Sequence, residues 1–314
     1  MSANDSEFTI LALEPAENLA DRVRREFPSA AWVDGTSKKK RDRALPAATV
    51  VFGTPTKKQL EHAAALRWLH LPATTLPKSL RAAIQRPGLD TTLATPVYAG
   101  PVAERALGVM LAMNLRHEET GSPSPGDLAG GVAAVIGTGR LGRSVARLLR
   151  AVGMQVLGAR RHPEPTLEID EVFGPDEIAT MVARADWVIV ALPATSETEG
   201  LIDHTVLDAM SPGARLLTLS DRGIVDESAL QEAIRSKRLR GAGFLHRIEE
   251  LPTGPEGQPN NEDPLWSMRH VKVVPHRLDR TAAFQRATED FFLRNLHLFA
   301  AGSRLLGTIR YGRP

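Results

Sequence analysis

The run Val132-Ala133-Ala134-Val135-Ile136 leads directly into Gly137-Thr138-Gly139-Arg140-Leu141-Gly142, and Arg143-Ser144-Val145-Ala146-Arg147-Leu148-Leu149 follows. Five apolar residues predict a buried strand, and the spacing after Gly142 predicts a helix. The G-x-G-x-x-G pattern between them points to phosphate binding. Gly137 permits a tight turn, Gly139 lets the backbone approach a pyrophosphate, and Gly142 lets helix and strand pack closely. The N–H groups and positive dipole at the start of the helix favour phosphates there. The candidate cofactor-binding set therefore runs from Gly137 through Thr138, Gly139, Arg140 and Leu141 to Gly142. The plain alternative is a glycine-rich turn that binds nothing.

The next strand, Met154-Gln155-Val156-Leu157-Gly158, indicates which dinucleotide is bound. NAD-binding members of this fold place an Asp or Glu at its end, on the ribose 2′-hydroxyl. This chain has Ala159-Arg160-Arg161-His162. A carboxylate would repel a 2′-phosphate, whereas Arg160 and Arg161 would bind it through charge-assisted, often bidentate bonds. NADP(H) is thus expected as cofactor, with NAD(H) the other possibility. If the two arginines are merely solvated, the protein would show little preference.

Composition narrows the class. A chain of 314 residues is long enough for two domains with sizeable cores. Hydrophobic content of 42% and charged content of 24% are those of an ordinary globular protein. A net charge of +2 argues against nucleic acid despite a pI of about 9.0. The one dense basic run, Lys38-Lys39-Lys40-Arg41-Asp42-Arg43, follows Asp34-Gly35-Thr36-Ser37 and is expected to be a solvated loop. The absence of cysteine excludes disulfides, thiol nucleophiles and thiolate metal sites. No metal site is expected, since the nine histidines are scattered and none forms H-E-x-x-H. Met1-Ser2-Ala3-Asn4-Asp5 lacks a signal-peptide pattern, and no apolar run approaches membrane-spanning length, so a cytoplasmic protein without membrane contact is expected.

The elements that must position these residues alternate along the chain. Phe8–Leu13, Ala48–Gly53 and Leu66–Leu71 read as strands, with helices over Ala16–Phe27 and Lys57–Ala65 between them. Strand–helix alternation predicts a small parallel α/β domain. A long apolar helix over Pro101–Asn114 precedes the linker Gly121-Ser122-Pro123-Ser124-Pro125-Gly126. Beyond Val132 the alternation resumes, with strands over Ala185–Pro193, Ala214–Leu219 and Val271–Val274. The segment 253–261 reads as a surface loop. The last helix, about Thr281–Ala301, carries Phe284, Phe291, Phe292, Leu296 and Phe299 toward a core, and Gly302 suits its end.

Taken in order, several short stretches resemble the D-isomer-specific 2-hydroxyacid dehydrogenase family. They are Pro101-Val102-Ala103-Glu104, the glycine run, Ala191-Leu192-Pro193-Ala194-Thr195-Ser196-Glu197-Thr198 and Val225-Asp226-Glu227-Ser228-Ala229-Leu230. Gly241-Ala242-Gly243, Pro264-Leu265-Trp266, Val274-Pro275-His276 and the closing helix complete the series. The resemblance implies a Rossmann-type doubly wound parallel sheet with a second, smaller flavodoxin-like α/β domain. It implies a dinucleotide-binding domain over 101–282, and a substrate domain over 1–100 joined by 283–314. It also implies a cleft between them, a homodimer, and Leu192 and Pro193 among the cofactor-binding residues.

The catalytic set implied by the resemblance is an arginine for the substrate carboxylate and carbonyl, a glutamate, and a histidine that exchanges a proton with the substrate oxygen. His276 falls at the histidine position without a gap, and Glu250 at that of the glutamate. A carboxylate beside a histidine raises its pKa and orients the ring. The arginine is displaced. In the family's Arg-Gly-x-x-Val-Asp-Glu pattern, Asp221 takes the arginine position and Arg222 the glycine position. Arg222 is the candidate catalytic arginine if the backbone bulges there; otherwise Asp221 puts a negative charge where the substrate carboxylate binds.

Other departures are the glycine-free stretch Leu71-Pro72-Ala73-Thr74-Thr75-Leu76-Pro77, Leu245 in place of an aspartate, and Arg277-Leu278-Asp279-Arg280 after the histidine. The expected function is an NADP(H)-linked oxidoreductase passing a hydride between nicotinamide and a small-molecule 2-oxo or 2-hydroxy acid. The alternative is a non-catalytic dinucleotide-binding sensor or interaction module that keeps the fold and has lost the substrate arginine.

Overall fold

The computed structural model describes residues 8–73, 76–118, 127–247, 264–276 and 281–309. They fall into two compact units, one drawn from Met1–Tyr98 and Asp279–Pro314, the other from Ala99–Leu278.

The first unit opens with β1 (Thr9–Ala12), α1 (Glu17–Glu26), β2 (Ala31–Asp34) and α2 (Lys38–Ala44). It continues with β3 (Val50–Phe52), α3 (Lys57–His62), β4 (Trp68–Leu71) and β5 (Asp90–Leu93). The strands form a parallel sheet in the order β2-β1-β3-β4-β5, which is the flavodoxin-like order. Both faces are covered, so β3 and β4 are buried along their whole length. Leu11, Val51 and Leu69 pack on one side, while Ile10, Phe52 and Trp68 pack on the other. The last helix of the chain, Ala282–Ala300, closes that second side, with Phe292 stacked 4.9 Å from Trp68.

Two expectations are corrected in this unit. Lys38–Arg43 is not a loop; it forms most of α2, which has no buried residue. Lysine and arginine are good helix formers, and a short helix in which only Arg41 and Ala44 are half-buried, Ala44 against the core, leaves no apolar signature. The helix from Lys57 stops at His62, because Ala63 leaves the helical region at φ −82°, ψ 71°.

α4 (Thr95–Glu118) starts before Pro101 and continues past Asn114, carrying the proline inside at the cost of one backbone bond. The second unit then runs β6 (Val132–Ile136), α5 (Arg140–Ala151), β7 (Gln155–Ala159), β8 (Glu171–Phe173), α6 (Ile178–Val182) and β9 (Trp187–Val190). It ends with α7 (His204–Ala209), β10 (Arg215–Thr218), α8 (Glu227–Arg235), β11 (Gly241–Arg247) and β12 (Val271–His276). The closing helix of the first unit is α9 (Ala282–Ala300). All seven strands are parallel, in the order β12-β11-β10-β9-β6-β7-β8. The order reverses between β6 and β9, and the crevice beyond the carboxyl ends at such a reversal is where doubly wound sheets bind ligands. Among the described residues, no helix is long and apolar enough to cross a membrane.

Candidate functional site

The glycine run lies at that reversal point. β6 ends at Ile136, and Gly137 turns the chain at φ 96°. A β-carbon on Gly137 would lie 2.5 Å from the Ala191 carbonyl oxygen, and one on Gly142 would lie 2.0 Å from the Gly137 carbonyl oxygen. Glycine is demanded at both positions by the fold itself. Gly139 differs. Its φ of −69° suits any residue, and a β-carbon there would meet nothing within 4 Å. The protein therefore leaves the backbone bare on that side for no reason of its own packing, as close approach of a pyrophosphate requires. Gly139 is also the N-cap of α5 and supplies no side-chain cap, so the first N–H groups of the helix are offered to an anion. These residues fit a dinucleotide's phosphates.

Leu192 is drawn to the same place. Its N–H donates to Ser220 Oγ at 2.9 Å, and Ser220 Oγ donates to the Val190 carbonyl at 3.2 Å. This ties the ends of β9 and β10 together, with Leu192 Cδ2 against Gly137. Pro193 follows, its carbonyl accepting from Thr198 Oγ1 at 2.7 Å. Thr138 is buried beside Gly158, and Arg140 stands exposed in the first turn of α5. Arg160 and Arg161 emerge at the end of β7. Arg160 is half-buried and donates its N–H to the Phe173 carbonyl at 3.1 Å. Arg161 is exposed and its guanidinium is paired with the Glu197 carboxylate.

Beyond β10, Asp221 is half-buried and Arg222 follows it. Arg222 Nε donates to Glu227 Oε1 at 2.9 Å, Nη2 donates to Oε2 at 2.6 Å, and the guanidinium lies 5.2 Å over the Trp266 ring. That is a fork-on-fork ion pair, the strongest geometry open to an arginine. Gly223, at φ 93°, makes the turn, and Asp226 caps α8 by accepting from the N–H groups of Ser228 and Ala229, both at 3.0 Å. The Val-Asp-Glu stretch thus supplies a helix cap and a clamp for Arg222. His276 ends β12 opposite Arg247. Leu245, on β11, is buried. Glu250, Arg277, Arg280 and the segment 253–261, expected as a loop, lie outside the described residues, as do Thr74 and Thr75.

The structure thus gathers the glycine loop and Leu192 at one point, and Arg222 with Glu227 and Trp266 at another. Sequence reasoning passed over Glu197, Glu227 and Trp266 as partners. Glu227 had a local signal, standing five residues after Arg222. Glu197 and Trp266 reach their arginines only through tertiary folding.

A strand, a glycine loop and an uncapped helix at the reversal point of a doubly wound sheet define a Rossmann-type dinucleotide-binding protein. Residues 110–277 match the family model for "D-isomer specific 2-hydroxyacid dehydrogenase, NAD binding domain". The chain belongs to the D-isomer specific 2-hydroxyacid dehydrogenase family. It is 29% identical over 317 residues to D-3-phosphoglycerate dehydrogenase of Mycobacterium leprae (strain TN), covering 92% of this chain and 57% of that protein. It is 32% identical over 178 residues to glyoxylate reductase of Thermococcus gammatolerans, covering 56% of this chain and 50% of that protein. The chain spans about half the length of these curated relatives. Its fold resembles the crystal structure of a D-isomer specific 2-hydroxyacid dehydrogenase family protein from Aeromonas salmonicida, at 23% identity and a TM-score of 0.72. That likeness covers 98% of this chain and 99% of the other.

Proposed function

We propose that the protein is an NADP(H)-linked oxidoreductase that interconverts a 2-oxo and a 2-hydroxy acid. The observation that carries this reading is Gly139, bare of neighbours at the uncapped start of α5, where the fold itself makes no demand for glycine. In this reading the second unit, Ala99–Leu278, is the dinucleotide domain expected over 101–282, and the first unit, Met1–Tyr98 with Asp279–Pro314, is the substrate domain expected over 1–100 with 283–314. Gly137 to Gly142 would hold the pyrophosphate, Leu192 and Pro193 would flank it, and Arg160 and Arg161 would take the 2′-phosphate. Arg161 would exchange the Glu197 carboxylate for that phosphate, a stronger acceptor with more charge.

Bound NADPH would supply the hydride that reduces the carbonyl carbon. His276 gives its proton to the carbonyl oxygen, so the 2-oxo acid leaves as the 2-hydroxy acid, and takes the proton back in the reverse direction. Glu250 orients His276. Arg222 provides the positive charge for the substrate carboxylate, which must compete with Glu227 for the guanidinium. If instead Asp221 faces the substrate, it repels small 2-oxo acids such as glyoxylate, hydroxypyruvate and pyruvate, which are then poor substrates.

Titration with NADPH and NADH tests the cofactor assignment. NADPH is expected to bind more tightly, and Ala at both Arg160 and Arg161 to remove the difference; equal affinities in the wild type would overturn it. NADPH oxidation with glyoxylate, hydroxypyruvate or pyruvate tests the chemistry. The double exchange Asp221→Arg, Arg222→Gly restores the family order and should raise the rate with at least one of them. A protein that binds NADPH and stays inert in both forms would favour the non-catalytic sensor. We also place the protein in the cytoplasm as a homodimer. The lack of cysteine suits a reducing compartment. Leu111 and Leu115, 45% and 60% exposed one turn apart on α4, suit a self-association face that light scattering can check.

A further inference from the structure

The first unit holds a cavity of about 510 Å³ that none of the roles above uses. It opens at the carboxyl edge of the five-stranded sheet, between the segment after β1 and the first half of α9. Its walls include Glu14, Asn18, Phe52, Gln285, Thr288 and Glu289.

The charge in this cavity has one sign. Glu289 has a side chain only 16% exposed, and burial holds its carboxyl above the usual carboxylate range. Arg22 stands 4.0 Å from it and is committed to Asp290 at 2.7 Å, and Arg286 is a second cation whose charge reaches it. Glu14 spends one oxygen on the N–H of Thr54 at 3.1 Å. Thr288 is 3% exposed, and its hydroxyl meets no hydrogen-bond partner among the described residues. Buried hydroxyls are normally paired. The unpaired Thr288 hydroxyl and two carboxylates, Glu14 and Glu289 with its distant, shared Arg22, face one cavity of a size that suits a small ligand.

We propose that this cavity binds the cationic end of a small molecule, an alkylammonium or guanidinium group, between Glu14 and Glu289 with the Thr288 hydroxyl as acceptor. Asn18 and Gln285 offer amide oxygens beside it, and the Phe52 and Phe284 rings provide a wall for an alkyl stem. The inference deepens the proposed function and rests on it for one step: a ligand held on the substrate-receiving unit is a 2-oxo acid with a basic side chain.

Calorimetric titration of the cofactor-free 314-residue chain with agmatine, which carries a guanidinium and an ammonium, tests the site. Glutarate serves as the anionic counterpart. Agmatine should bind and glutarate should not, and Glu289→Gln should weaken agmatine by about tenfold or more. Glu14→Gln provides a second variant should Glu289→Gln fail to fold. No agmatine binding up to ~10 mM, or equal binding by wild type and both variants, would overturn the proposal. NADPH titration of the same samples reads the dinucleotide site separately, so failure of the cofactor reading and failure of the cation site give different results.

Discussion

The seven-stranded sheet presents Gly137, Gly139 and Gly142 at its carboxyl edge, whereas the five-stranded sheet presents Glu14, Phe52 and Pro72. The first edge works through backbone: a left-handed turn, a close helix–strand contact and free N–H groups. The second works through side chains, mostly acidic and aromatic. A pyrophosphate asks only for N–H groups and room to approach, which glycine spacing supplies. Discrimination among small organic ligands asks for charge and shape, which only particular side chains supply. The two interiors differ in the same spirit. The second unit buries a cation, Arg215, over Trp187 at 5.4 Å, and burial draws its pKa down only to about 10, so it stays charged. The first buries His70, whose Nδ1 meets Thr92 Oγ1 at 2.8 Å and whose pKa burial pushes down to about 3, so it stays neutral.

The largest expected effect tests that contrast of interiors. His70 binds its proton at about pH 3 when folded and near 6.5 when unfolded. Below pH 6.5 the unfolded chain takes up a proton that the folded chain refuses. Stability conferred by the neutral ring is therefore complete above pH 6.5 and is lost as pH falls toward 3. The slope should reach about 1.4 kcal/mol per pH unit in denaturant titrations. His70→Gln should flatten that limb; an unchanged slope would assign the acid lability elsewhere.

The glycine edge is tested next, by two alanines with different consequences. Gly142→Ala should destabilise the second unit by roughly 2–4 kcal/mol, because helix α5 must move off the Gly137 carbonyl. Gly139→Ala should leave the melting temperature unchanged and weaken NADPH by about tenfold, since its methyl enters only the space a phosphate would approach. Equal melting losses in both would mean that Gly139 serves packing after all.

Smaller effects separate the Arg222 clamp from a catalytic arginine. If Arg222 supplies the substrate's counter-charge, Arg222→Ala should lower kcat/KM on the order of 10²-fold with whichever acid is turned over. Glu227→Gln loosens the guanidinium and should lower KM by about threefold, with kcat little changed. A rise in KM on Glu227→Gln would instead make the ion pair a positioning element that the substrate needs intact.

Much of this was legible in the sequence, and what was missed follows a pattern. The central strands β6 and β9 are runs of apolar residues and were readable as such, and Leu216-Leu217 marked β10. The edge strands β2, β5 and β8, with sequences AWVD, DTTL and EVF, gave too little apolar signal to be read. β2 and β8 are partly exposed at the sheet edges and need not be apolar, whereas β5 is buried through Thr91 and Thr92, polar residues that leave no apolar run in the sequence. The glycine loop was readable because its chemistry lies within six consecutive residues. That Asp221 falls at the family's arginine position is what the resemblance implies, counted against the family pattern.

By itself, then, the sequence determined the alternation of strands and helices, the glycine loop between β6 and α5, the paired arginines after β7 and the Asp221-Arg222 step after β10. All of these are set by neighbours along the chain. Only the tertiary structure decided that Arg161 pairs with Glu197, that Arg222 lies clamped between Glu227 and Trp266, and that Glu14 shares a cavity with Thr288 and Glu289. Glu14 and Glu289 stand at opposite ends of the chain, and no local spacing relates them. They meet because α9 carries Phe292 onto Trp68, and burying those rings brings the rest of the helix to the edge of the sheet.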